Sequence, residues 1–114
     1  VVQVKRIYDP PQPEDGLRLL VDGLWPRGVR KDQADFIWRR DLAPSPELRR
    51  FYSHQPERFA AFRERYRAEL EGKPELIAEL SRLAAEQTVT LLYAARDRER
   101  NNATVLAELV EEVL

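Results

Sequence analysis

The chain has 114 residues, no cysteine, a formal net charge of −1, 43% hydrophobic and 34% charged residues. That length fits one globular domain, residues 1–114, able to bury a core without disulfides, and the composition excludes a disordered chain. The charge balance argues against binding nucleic acid through bulk positive charge, leaving only a local patch for that purpose.

Lack of thiols suits a reducing cytoplasm. The longest apolar run, Val89 to Ala95 interrupted by Thr90, is far short of the roughly 20 residues a membrane span requires, so no membrane role is expected. No signal-peptide pattern opens the chain, and Val1 in place of methionine points to a trimmed or missing start.

Val1, Val2 and Val4, then Ile7 and Tyr8, predict a first strand that ends at Asp9-Pro10-Pro11. The loop to Gly16 is shorter than the dozen or more residues of an ordinary parallel crossover. The first strand therefore either runs antiparallel to the second or lies elsewhere in the sheet.

Leu19-Leu20-Val21 predicts a buried second strand that ends at Asp22. Gly23, Pro26 and Gly28 punctuate the turn that follows, which also carries Trp25, Arg27, Arg30 and Lys31. Lys31 to Ala34 suits a helical turn, and Phe36-Ile37-Trp38 either continues it or forms a short third strand, the reading preferred here.

Ser45 as N-cap, Pro46 at the first helical position and Glu47 facing the dipole start a helix that runs to about Ser53. A second helix begins at Pro56, with Phe59, Phe62, Tyr66 and Leu70 on one stripe, and stops at Gly72. A third begins at Pro74 and buries Leu76, Ile77, Leu80, Leu83 and Ala84. Thr88 to Ala94 is the strongest strand, apolar on both faces as a central parallel strand is, and so expected to have helices on both sides. Asn101 or Asn102 caps a last helix with the stripe Val105, Leu106, Leu109, Val110 and Val113. The expected fold is a small α/β layer structure of three to four mainly parallel strands flanked by helices.

Three phrases also resemble a known family: Asp22 with Leu24-Trp25-Pro26-Arg27-Gly28, Leu42-Ala43-Pro44-Ser45, and Thr90-Leu91-Leu92-Tyr93-Ala94-Ala95-Arg96-Asp97 followed by Asn101. In this order they resemble the YeaO-like branch of the domain-of-unknown-function 488 family over nearly the whole chain. The resemblance implies no agreed reaction. Family members usually carry arginine where this chain has Gly23 and histidine where it has Asn102, departures that weaken an anion clamp and remove a general base if those positions are chemical.

Parallel pairing of the second and fourth strands would bring Asp22 to Arg27 near Arg96 and Asp97, at the carboxyl edge where α/β sheets bind ligands. Arg27, Gly28, Lys31 and Arg96 are then candidates to hold an anion, because guanidinium forks match oxyanions and Gly28 lets backbone amides approach. Structural ion pairs with Asp22 or Asp97 are the competing use of the same arginines. Asp22 and Asp97 are candidate acid and base, although an aspartate at a strand end more commonly caps a turn. Trp25 offers a ring for a base or sugar, though a tryptophan between leucine and proline more commonly belongs to the core. Asn102 is a candidate ligand group that also serves as a cap.

His54 is the only histidine, which excludes a His-based metal site; a surface or capping role fits it better than catalysis. Tyr8 and Tyr93 can reach such a site but are ordinary half-buried tyrosines by default. No cofactor and no oligomeric state is specified by the sequence. Two functions stay open: an enzyme or enzyme-like domain for a small anionic, phosphate- or nucleotide-like ligand, and a non-catalytic interaction domain that touches nucleic acid through arginine loops. A concave cleft favours the first and a flat arginine surface the second.

Overall fold

The computed structural model describes residues 1–114. Strands β1 (Val2–Arg6), β2 (Leu17–Leu20), β3 (Ile37–Trp38) and β4 (Val89–Tyr93) form one sheet in the order β1-β4-β2-β3. Every pairing is parallel, and Val4, Leu91, Leu19 and Ile37 align in one row across it. Of the two placements open for β1, the structure has it elsewhere in the sheet, parallel to β4 and separated from β2. The connection 7–16 crosses without an α-helix, and it is pinned to the sheet where Thr90 Oγ1 donates to the Asp15 carbonyl at 2.7 Å.

The four helices are α1 (Pro46–Tyr52), α2 (Phe59–Glu71), α3 (Pro74–Glu86) and α4 (Asn102–Val113). Their starts follow local chemistry. Ser45 Oγ accepts the Leu48 amide at 3.2 Å, and Asn101 Oδ1 accepts the Thr104 amide at 2.9 Å, which makes Asn101 the cap of α4 and Asn102 its first residue. A 3₁₀ turn, Pro56–Arg58, precedes α2, so the regular helix begins at Phe59.

Because side chains alternate along a strand, Leu19, Val21, Val89, Leu91 and Tyr93 face one way and meet Phe62, Tyr66, Leu70, Leu80 and Leu106 in the main core. Leu20 and Leu92 face the other way with Ile7, under Val29, Phe36, Trp38 and Ala94. No helical residue belongs to that second cluster. The helices expected on both sides of β4 are thus found on one; the other face is covered by loops. These loops supply the apolar surface themselves, since Trp25 packs on Phe36 and Trp38 with ring centroids 5.3 and 5.2 Å apart.

The rest of the second face is ionic. Asp15, 2% exposed, takes Lys5 Nζ at 2.9 Å and the guanidinium of Arg18, itself 8% exposed, while the Gln12 amide bonds the same carboxylate at 3.1 Å. All five residues of β4 are buried between the two layers. Its amides should be among the slowest in the protein to exchange with deuterium, and rapid exchange at Leu91 or Leu92 would contradict this architecture.

Candidate functional site

The carboxyl ends of β2 and β4 meet directly: Val21 N donates to Leu92 O at 3.1 Å, and Asp22 Oδ2 accepts the Ala94 amide at 2.9 Å. A cleft of about 940 Å³ opens above this junction. Its floor is Asp22, Gly23, Ala94 and Ala95; one wall is the turn Leu24 to Arg27 with Tyr8, and another is Arg49, Tyr52 and His54 at the end of α1. Arg96, Asp97, Arg100, Asn101 and Asn102 close the remaining side.

Of the residues singled out from the sequence, Asp22, Trp25, Arg27, Arg96, Asp97 and Asn102 are brought together here. Gly28 and Lys31 lie outside the lining. Gly28 turns the chain with φ 77° in open space, and Lys31 Nζ sits 5.7 Å from the centre of the Trp25 ring. Trp25 has the packing role considered for it, since its Nε1 donates to Val29 O at 2.6 Å and its ring packs in the loop cluster, and it also lines the cleft.

Five arginines and two aspartates line the cleft, and they are not equivalent. Arg6 is committed to the carbonyls of Ala95 at 2.8 Å and Ala94 at 3.1 Å. Arg100 pairs with Asp97 at 3.2 Å. Arg27, Arg49 and Arg96 form no salt bridge: neither Asp22 nor Asp97 lies within 4.0 Å of them. The ion pairs expected as the alternative use of Arg27 and Arg96 are therefore not formed.

The two acids differ as well. Asp97 accepts the amides of Arg100 and Glu99, both at 2.9 Å, and these bonds with the Arg100 guanidinium hold its carboxyl below the usual range. It closes its own turn. Asp22 is pushed the other way, because burial penalises its charge more than the Ala94 amide, the Asn102 side chain and the charges of His54 and Arg49 relieve it. An acid whose folded pKa is raised costs stability as pH rises from its unfolded pKa through the folded one. Asp22→Asn should therefore raise the melting temperature at pH 7, with the gain shrinking toward acidic pH where Asp22 is itself neutral. A loss of stability at pH 7 would contradict this account.

Sequence reading passed over Arg6 and Arg49 and set His54 aside as a surface or capping residue, yet all three line the cleft. No local signal marks Arg6 or Arg49, since an arginine at a strand end or within a helix reads as surface. His54 is held by an unusual backbone: Ser53 and His54 are both left-handed, with φ 46° and 55°, a conformation that costs energy in residues bearing a Cβ. Arg49 lies across the turn at Gly23, where an added Cβ would meet Nη1 at 2.8 Å. The space from which a side chain at position 23 would start is thus already taken by a guanidinium from α1. Asn102 donates to the Val21 carbonyl at 2.9 Å and so ties α4 to the end of β2.

This is a parallel α/β domain with its cleft at the carboxyl edge of the sheet, flanked by the start of α4 and rich in unpaired guanidinium groups. The family model described as the inactive DUF488-N3 subclade matches residues 1–114. The chain belongs to the domain-of-unknown-function 488 family. It is 49% identical to an uncharacterized protein of Mycobacterium tuberculosis over 96% of this chain and 92% of that one, with the same figures for a counterpart in Mycobacterium bovis. It is 44% identical to the uncharacterized protein YeaO of Escherichia coli over 94% of each chain. No solved structure matches it. No helix is long and apolar enough to cross a membrane, and no three His, Cys, Asp or Glu side chains are grouped to hold a metal ion.

Proposed function

We propose that the cleft binds a small phosphate-bearing ligand and that the protein acts through this binding, with no reaction assigned to it. The observation that carries the reading is that Arg27, Arg49 and Arg96 line one concave site without a carboxylate partner. Unpaired guanidinium groups in a cleft favour an oxyanion, which gains charge-assisted hydrogen bonds there. Concavity favours a small ligand over a strand of nucleic acid. The word inactive in the family description and the engagement of Asp97 in its own turn both favour binding over acid–base catalysis by the aspartate pair.

Thermal unfolding in inorganic phosphate tests this. A ligand bound only by the folded state at about ten times its Kd adds about 1.4 kcal/mol, a rise of roughly 6 °C for a domain of this size. Arg27→Ala, Arg49→Ala and Arg96→Ala should each diminish that response while keeping the far-ultraviolet spectrum of the parent. A parent protein whose melting temperature ignores phosphate would defeat the proposal.

A further inference from the structure

Asp22 is at first sight misplaced in a site for anions. It lies on the cleft floor near Arg49 and His54, where it accepts the Ala94 amide on Oδ2 and a hydrogen bond from the Asn102 side chain. A carboxylate has several lone-pair sites, so acceptor capacity remains directed at whatever enters. A fully ionised oxyanion meeting this carboxylate is repelled, and the repulsion is strong where both are partly desolvated. An anion that carries a proton meets an acceptor instead.

We infer that Asp22 selects the singly protonated form of a phosphate monoester over fully ionised oxyanions, by accepting the P–O–H proton of the ligand while Arg49 donates to its other oxygens. The inference rests on the anion-binding reading above and names the ligand class of that site. Arg49 can play this part because Gly23 leaves room for it: the Gly23 backbone is not in the left-handed region, yet a Cβ there would come 2.8 Å from the guanidinium. Gly23 thus acts as a positioning residue for Arg49. The other polar groups around Asp22 are neutral or basic: Asn102 at the start of α4, the buried Tyr66 hydroxyl on α2, and His54 after α1. None is a competing acid. A cleft of about 940 Å³ also exceeds the size of a bare phosphate ion, which leaves room for the body of an ester against Tyr8, Trp25 and Tyr52.

The experiment compares inorganic phosphate, adenosine monophosphate and sulfate by titration calorimetry at matched ionic strength and at about pH 5.5, below the ester's second ionisation near pH ~6. Most of the ester keeps its proton there, whereas sulfate has none. Phosphate should bind about tenfold or more tightly than sulfate, because a site built around a hydrogen bond rejects the analogue that lacks it. Adenosine monophosphate should bind more tightly than phosphate. In Asp22→Asn the preference over sulfate should collapse toward parity. On the parent protein, sulfate should gain on phosphate as pH falls and Asp22 takes up its own proton, an arm that needs no variant to fold. Gly23→Ala should weaken all three anions by about tenfold at unchanged secondary structure. Equal affinity of the parent for phosphate and sulfate overturns the role of Asp22, and an unchanged Gly23→Ala overturns that of Arg49. Equal affinity for phosphate and adenosine monophosphate overturns the ester. Failure to bind any of the three defeats the anion-binding reading itself.

Discussion

Replacing Asp15 by alanine should destabilise the protein by about 3 kcal/mol at pH 7. The carboxylate is buried and shared by Lys5 and Arg18. Its removal leaves the Arg18 guanidinium under the 7–16 connection with one long contact, 3.5 Å, to the exposed Asp35, and its Nε already lacks a partner. Lys5 is better placed, since it retains the Pro10 carbonyl at 2.9 Å and partial access to water. The cost is therefore mainly that of an arginine left charged and dry. Asp15 also predicts a pH dependence. Burial pushes its carboxyl up, but hydrogen bonds from Lys5, the Gln12 amide and Arg18 outweigh this and hold it below its ordinary value. An acid with a depressed folded pKa contributes stability that is complete above its unfolded value, ~3.9, and is lost as pH falls through the folded one. Urea unfolding at pH 7 and pH 3 checks both statements: the gap between parent and variant should narrow at the lower pH.

Gly16→Ala should be comparably damaging for a different reason. Gly16 has φ 62° and a Cβ built on it would stand 2.3 Å from the Thr88 carbonyl oxygen. That carbonyl accepts the Leu17 amide at 2.9 Å and helps start the β2–β4 pairing, so it cannot withdraw freely. Strain at a positive φ and a clash with fixed backbone act together, for a cost of about 3 kcal/mol and a melting temperature lower by roughly 12 °C or more. Gly28→Ala is the internal comparison: φ there is 77°, but nothing lies within 4 Å, so the backbone term acts alone and the loss should be near 1 kcal/mol. Thermal unfolding of the two variants side by side separates steric from conformational cost. Equal losses would show that the contact with Thr88 is relieved at no expense.

The local parts of this molecule were legible in its sequence because their causes are local. Ser45, Pro46 and Glu47 start α1, and an asparagine caps α4, since each signal lies within one turn of the element it specifies. The meeting of Asp22 with the end of β4 followed from the apolar character of two strands and the rule for parallel sheets. The place of β1 did not, because its partner is some 87 residues away, at Val89 to Tyr93, and nothing in Val2 to Arg6 names it. The loop cover of the second face was obscured for a related reason: an apolar strand states that it is buried, not by what. Arg49 reached the site through the packing of α1, a tertiary event with no trace in the sequence around it, while Lys31 lies outside the lining with its Nζ over the Trp25 ring.

The strand order also has a consequence for how the chain acquires its structure. β1 and β2 touch only through β4, which occupies the slot between them and comes from the last quarter of the sequence. On a ribosome the first strands emerge with no partner for β1, and the apolar residues Val2, Val4, Leu19 and Leu20 stay uncovered until residues 89–93 have cleared the exit tunnel. The strand at the centre of the sheet is thus made after both of the strands it separates. Closing the sheet spends loop entropy over most of the chain, because it needs the long-range pairing that slows folding. Until then the nascent protein depends on local helices and on whatever shelters its unpaired strands.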